Sequence, residues 1–431
     1  MRSELTISNI LINAAKEGNI TIFNIMLLAG IDLSSQRNQA IIEASKAGHL
    51  MIVNKLLEDS RVDPGDQDND AIIEASKADH LDIVNRLLED PRVDPSDRDN
   101  TAIIEASKAG HVTMVNRLLN DPRVDPADQD NQAIIETSEF GRLETVDRLL
   151  EDPRVNPADQ TNQAIMNASD KGNLNVVNRL LNDPRVDPSD GNNAAILDAS
   201  SNGQLDVVNR LLDDPRVDPS GGNNRAIYWA SWNGKLDVVK RLLKDERVNP
   251  GDLINNALVA ASITNQQDIV KILLQDARSN SKDQKNKAFV AASKHDHLDI
   301  VNMFLKDKDI NPSYNKNEAI IGASGGGNFD VVKRLLQIPA VNPGDRKNNA
   351  IIRASDGGHV EIVKLLLEDK RVDPTIRNST AVRMAKNRKR DYGGGEKANR
   401  YREIIKILEE AGKKAKETKQ AKKLLTKTAK R

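Results

Sequence analysis

Five of the six histidines in this chain of 431 residues, His49, His80, His111, His297 and His359, are separated by multiples of 31 residues. Imidazole is the commonest protein ligand for zinc, so a regular series of them could carry metal. Zinc, however, needs several ligands at once at about 2.0–2.1 Å, and side chains that recur once per packed helix pair stand roughly 10 Å apart. No metal site is expected from them. His295 falls outside the series and lacks an obvious carboxylate partner. The run Gly322-Ala-Ser-Gly-Gly-Gly327 is glycine-rich, but it lacks the Gly-Lys-Ser/Thr ending through which a phosphate-binding loop holds phosphate and magnesium. No nucleophile stands beside a base in a recognisable local motif, so the expectation is a non-enzymatic chain without cofactors.

The spacing of the histidines belongs to a repeat that covers most of the chain. An alanine recurs every 31 residues from Ala40 to Ala350 with no insertion or deletion, giving eleven copies. Each alanine has a serine five residues later, Ser45 to Ser355, and an asparagine two residues earlier, Asn38 to Asn348. A period of this length signals a solenoid, in which a unit buries its apolar face only by stacking on its neighbours. In the first copy, Ala40, Ile41, Ala44 and Ser45 recur at helical spacing after Asn38, whose side chain suits an N-cap. Leu50, Val53, Leu56 and Leu57 do the same after Gly48. Each copy is thus two short helices and a return loop. All 16 prolines fall in the two loop columns of Pro91 and Pro95, outside both helices.

Ala44-Ser45-x-x-Gly48-His49-Leu50-x-Ile52-Val53-x-x-Leu56-Leu57 resembles the central part of an ankyrin repeat, and the likeness recurs over residues 38–378. It implies an all-α, ankyrin-like helix-turn-helix solenoid of about thirteen stacked units including caps. It also implies that the column histidines bond between stacked repeats, and that partners are held by loop tips and the exposed side of the first helix. Two departures stand out. Gln39-Ala40-Ile41-Ile42 replaces the family's Thr-Pro-Leu-His opening, and the unit is shorter than usual, which should blunt the loop tips and shift binding to the helix surface. The DPRVDP loop also resembles ankyrin arrays of large DNA viruses and protists.

Residues 1–37 are read as an N-terminal capping repeat, 38–378 as the eleven repeats, 379–412 as a C-terminal capping repeat with a Gly-rich insertion, and 413–431 as a basic tail, frayed or disordered. Repeat 8 departs furthest from its neighbours. Its loop is Gln275-Asp-Ala-Arg-Ser-Asn-Ser281, Asn265 replaces the turn glycine and Gln267 replaces Leu50, so weak interfaces are expected there.

Both tryptophans of the chain lie in repeat 7. Trp229 occupies the column of Glu43, Glu136, Asp198, Ala260 and Gly322, and Trp232 that of Lys46, Asp170, Ser201 and Ile263. Columns that accept charge are expected to be exposed, whereas Tyr228, in the column of Ile42, is expected to fill core. The indoles therefore read as an interface hot spot on a protein-interaction scaffold, centred on repeats 7 and 8, with Ile263, Glu136 and Asp198 as further partner-binding candidates. Glu43, Glu74, Glu105 and Glu136 share one column of the first helix, and Lys46, Lys77 and Lys108 lie three residues on from the first three, which reads more plainly as solvated i, i+3 ion pairs.

The formal net charge is −1, yet residues 378–431 hold 18 basic and 6 acidic side chains, +12, leaving −13 for residues 1–377. A second reading follows: an anionic partner (nucleic acid, an anionic membrane or an import receptor) held through Lys386, Arg388, Lys389, Arg390, Lys413, Lys414, Lys422 and Lys423. No stacking aromatics accompany the final tract, which counts against single-strand binding. An adaptor presenting a captured protein to other machinery would need a second module, which 413–431 does not resemble. There is no cysteine and no apolar run of the ~18 residues that span a membrane. An intracellular, cytoplasmic monomer is expected, with nuclear import as the alternative.

Overall fold

A computed structural model describes residues 2–252, 254, 256–279, 281–373 and 378–428, with side chains described outside 2–6, 378–379 and 422–428. Among the described residues there are 26 α-helices and no strand. Two compact units are distinguished, 1–218 and 219–431. Within each, first helices pack against first helices of the next repeat and second helices against second helices, so the core is a continuous seam between two helical layers.

The first copy shows why the residues fold this way. The helix Ser35–Ala47 buries Ala40, Ile41, Ala44 and Ser45, and Leu50–Leu57 buries Ile52, Val53, Leu56 and Leu57. Gly48 ends the first helix at φ 83°, and the amide of His49 returns to the carbonyl of Ala44 at 2.9 Å. A left-handed residue here suits glycine, whose missing Cβ removes the clash. In repeat 8, Asn265 takes the same conformation at φ 62°.

The asparagine column does not cap the first helix as expected. In nine copies three successive residues, Gln36 to Asn38 in the first, run left-handed before the helix proper begins. Each such non-glycine residue costs about 1–2 kcal/mol, and asparagine is among the few side chains that visit this region. The return comes from the neighbouring repeat. Asn100 Oδ1 accepts from the amide of Asp125 at 2.8 Å while its Nδ2 donates to Asp128 at 2.8 Å, and Asn38, Asn69, Asn131 and Asn162 repeat both bonds. The column is buried because it staples one loop to the next.

The loop arginines form a second tie between repeats. Arg92 forks onto Asp90 within its own loop and donates through Nη1 to the carbonyl of Val62 in the previous repeat at 2.6 Å. Arg123, Arg154 and Arg185 do the same. The guanidinium beside each aspartate holds its carboxyl below the usual range, and that of Asp59, bonded to Arg61, at about 2. Repeat 8 keeps this tie despite its altered loop: Arg278 forks onto Asp276 and reaches the carbonyls of Leu243, Asp245 and Val248. The loop loses its prolines but not its clamp.

The two ends are buried to different extents. In the helix Ile20–Leu28 only Phe23 is fully buried, while Ile22, Leu27 and Leu28 are exposed. At the other end Tyr401, Ile404 and Leu408 are buried on the helix Gly395–Thr428, which continues through Gly412, the boundary read between the cap and the basic tail. The segment beyond Gly412 is rich in lysine and alanine, which favour helix even where little apolar surface is available.

Candidate partner-binding surface

The helix Gly221–Trp232 turns Ala226, Ile227, Ala230 and Ser231 into the core and leaves Tyr228, Trp229 and Trp232 on one side. The three rings pack together. Tyr228 meets Trp229 edge-on at 5.2 Å between centroids and stacks on Trp232 at 6.2 Å, and the two indoles are 6.1 Å apart. All three are half-buried, so the tryptophans are not freely exposed and the tyrosine does not fill core. Trp232 stands four residues after Tyr228 and three after Trp229, so both rings reach it on the helix surface and the large rings cover one another. Ile263 is half-buried on the helix Ala257–Ile263, beside the fully buried Ala260.

Glu136 and Asp198 lie in the first unit. Glu136 is engaged by Lys108 at 3.0 Å and by Gln132 at 2.8 Å, and Asp198 is half-buried on the helix Asp190–Asn202. The pairing of Glu136 extends a series across successive first helices: Lys46 to Glu74 at 2.9 Å, Lys77 to Glu105 at 3.1 Å, Lys108 to Glu136. The hydrogen bond to Glu74 raises Lys46, and that to Glu136 raises Lys108. The sequence pattern points to pairing within one helix, but the lysine instead reaches the next repeat, making a self-neutralised rung between units.

The column histidines lie within hydrogen-bond reach of backbone. Nε2 of His49, His80, His111, His297 and His359 sits 2.8–3.1 Å from a carbonyl of the previous repeat. Arg142, Asn173, Gln204 and Asn328 replace histidine in this column and donate to the preceding repeat in the same way. Their shared ability to donate was a readable signal. His295 stacks on His297 at 6.2 Å.

This arrangement of helix pairs, glycine turns and inter-repeat donors meets a match to a known family. The family described as ankyrin repeats in three copies matches seven overlapping stretches, from residues 41–132 through 288–378. The chain belongs to the ankyrin-repeat family. Ankyrin repeats generally mediate protein–protein interaction. The comparison with curated protein sequences returns no match. No described helix is long and apolar enough to cross a membrane.

The basic end of the ankyrin array is partly neutralised. Lys386 pairs with Glu409 at 2.9 Å, and Arg388 reaches Asp356 at 2.8 Å through Nε. Arg390, Lys413 and Lys414 are exposed and Lys389 is half-buried, while the side chains of Lys422 and Lys423 lie outside the described residues. Close by, the second unit holds a cleft of about 580 Å³ over Gly322 and Gly325, walled by Lys294, Arg353, Asp356 and Tyr401. Sequence reading passed over it. The signal was present as glycine in the two columns that hold the rung glutamate and lysine elsewhere.

Proposed function

We propose that this ankyrin chain is a non-enzymatic scaffold that captures a protein partner along its first-helix face, centred on Tyr228, Trp229 and Trp232 of repeat 7, with Ile263 of repeat 8 at its margin. The observation that supports it most is the gathering of both tryptophans, half-buried in columns that hold charged or small side chains in most other copies, against a tyrosine in the column of Ile42. Large aromatics that are packed yet still accessible suit a hot spot, because their rotamers are already restricted before a partner arrives. Glu136 and Asp198, which occupy the column of Trp229 in the first unit, are kept as further partner-binding candidates. The division into a cap at 1–37, repeats at 38–378, a cap at 379–412 and a basic extension at 413–431 belongs to this proposal, as does a monomer working inside the cell.

The test replaces Trp229→Glu and Trp232→Lys, the residues an ordinary copy carries, and measures affinity for a partner purified from the native cell. Loss of about 2 kcal/mol, roughly thirtyfold, is expected with the fold retained. Unchanged affinity would sink the aromatic centre. A second reading, an anionic partner at the C-terminal end, is favoured by the exposed Arg390, Lys413 and Lys414. Binding of that kind weakens steeply with salt and loses most of its strength on truncation after Gly412, whereas an aromatic contact does neither.

A further inference from the structure

The cleft over Gly322 and Gly325 interrupts the rungs that run between first helices. In repeats 1 to 4 the lysine column of one repeat meets the glutamate column of the next. At repeat 9 the lysine is present as Lys294, but the position it would reach is Gly322, and Lys294 turns instead to Glu318 at 2.7 Å. A Cβ at Gly322 would lie 2.4 Å from Lys294 Cγ, so this path needs a glycine. At the next rung both positions have changed: the lysine column holds Gly325 and the glutamate column holds Arg353.

The charges left behind are not balanced. Glu318 is taken by Lys294, Asp356 by Arg388, and Arg346 donates to the carbonyl of Asn315. Arg353 is exposed on the cleft and, among the described residues, has neither an ion pair nor a side-chain hydrogen bond. Tyr392 and Tyr401 stack at 5.8 Å to form an apolar wall, and Tyr401 is fixed by donating to the carbonyl of Asp356 at 3.0 Å.

We propose that this cleft is a second binding site, separate from the aromatic centre, which takes a carboxylate side chain of an acidic segment in a protein partner. The partner would supply the anion that the array provides for itself at every rung from Glu74 to Glu136. Guanidinium suits this task because its planar fork receives a carboxylate through two parallel bonds. The volume lies within the range of ligand-binding clefts and accommodates a side chain and its flanking backbone. A phosphate backbone fits less well, since its charges are fixed along the chain and would run against Glu318 and Asp356, whereas glutamate side chains can turn away from those carboxylates while one meets Arg353.

The test uses the full chain and a labelled octaglutamate peptide, with octaglutamine and octathymidylate as comparison probes. Octaglutamate should bind, octaglutamine should not, and Arg353→Gln should weaken octaglutamate about tenfold, the loss expected for one charge-assisted pair. Arg353→Glu should weaken it further and Arg353→Lys should keep most of the affinity. Because Arg353 is exposed, melting curves should be unchanged across the three. Trp229→Glu with Trp232→Lys should leave octaglutamate binding intact, so failure of the aromatic reading would not touch this one. Absence of octaglutamate binding, or equal binding by Arg353→Gln, overturns the proposal. Octathymidylate binding that depends on Arg353 as strongly would also overturn it and make the cleft a phosphate site.

Discussion

Repeats 2 to 6 and repeats 9 and 10 solve the same packing problem with different residues. In the former, every copy gives one job to one column: asparagine staples the loops, arginine clamps the previous carbonyl, and the histidine position donates across the turn. In repeat 9 the jobs are redistributed. The helix Lys282–Lys294 lacks the left-handed turn and is capped by Ser281, and Asp309 stands where the clamp arginine belongs. The missing cation is supplied by Lys285, whose buried ammonium lies 2.7 Å from Asp307. Repeat 10 loses both clamp partners together, with Ile338 and Ala340 in their columns. Structural losses are therefore compensated or made in pairs, because one partner left alone in a half-buried place costs more than the pair is worth. The rung at Gly325 and Arg353 has no such compensation. Departure without repair is what singles out this cleft as the proposed binding surface.

The largest effect should come from acid, which acts on all regular clamps at once. Their aspartates have carboxyls depressed in the folded chain, so the stability they add is present above the unfolded value of about 3.9 and lost as pH falls through the folded value. Arg61 sets that folded value at about 2 for Asp59. Resistance to urea should therefore stay level down to about pH 4 and fall between about pH 4 and 2. A decline beginning above pH 5 would show that other groups govern the array.

Next in size is the asparagine staple. Asn100→Ala removes two inter-repeat bonds and leaves alanine at φ 60°, an expected loss of about 3 kcal/mol. Asn286 still accepts from the amide of Asn311 at 2.7 Å but lies in an ordinary helix, so Asn286→Ala should cost only about 1–1.5 kcal/mol. Equal losses in urea denaturation would mean the left-handed turn stores no strain.

This difference also marks what could be read from sequence. The period, the two helices and the turn glycines were legible because they rest on local spacing and on φ, which one residue type announces. The role of Asn38 was not, because its partners Asp63 and Asp66 are 25 and 28 residues away and an asparagine before a helix looks like a cap. For the aromatic cluster, the closeness of Trp229 and Trp232 on one helix was legible but their burial was not, since Tyr228, Trp229 and Trp232 shield one another. The cleft was missed because it is defined by what Gly322 and Gly325 omit.

Lys285→Ala should cost about 2 kcal/mol, less than a fully buried pair because Asp309 is largely solvated. Adding Asp309→Arg restores the regular clamp on Asp307 and should recover most of that loss. If the double variant is no better than the single one, Lys285 does not replace the missing arginine.

The smallest effect should belong to the rungs. Lys77 and Glu105 stand 3.1 Å apart, but the lysine side chain is 55% exposed, so solvent screens the pair and entropy opposes fixing it. Lys77→Ala should change stability by about 0.5 kcal/mol or less, and that little should vanish in molar salt. The low cost is what permits the contrast between the two regions: a rung can be dismantled at Gly322, Gly325 and Arg353 without weakening the stack, whereas an asparagine staple cannot. A loss well above 1 kcal/mol at Lys77 would make the rungs structural. The open rung at Arg353 would then have to be costly too, and Arg353→Glu combined with Gly325→Lys, which rebuilds it, should raise the melting temperature. If Lys77→Ala is silent, that rebuilt rung should leave stability unchanged and remove only the binding of the acidic probe.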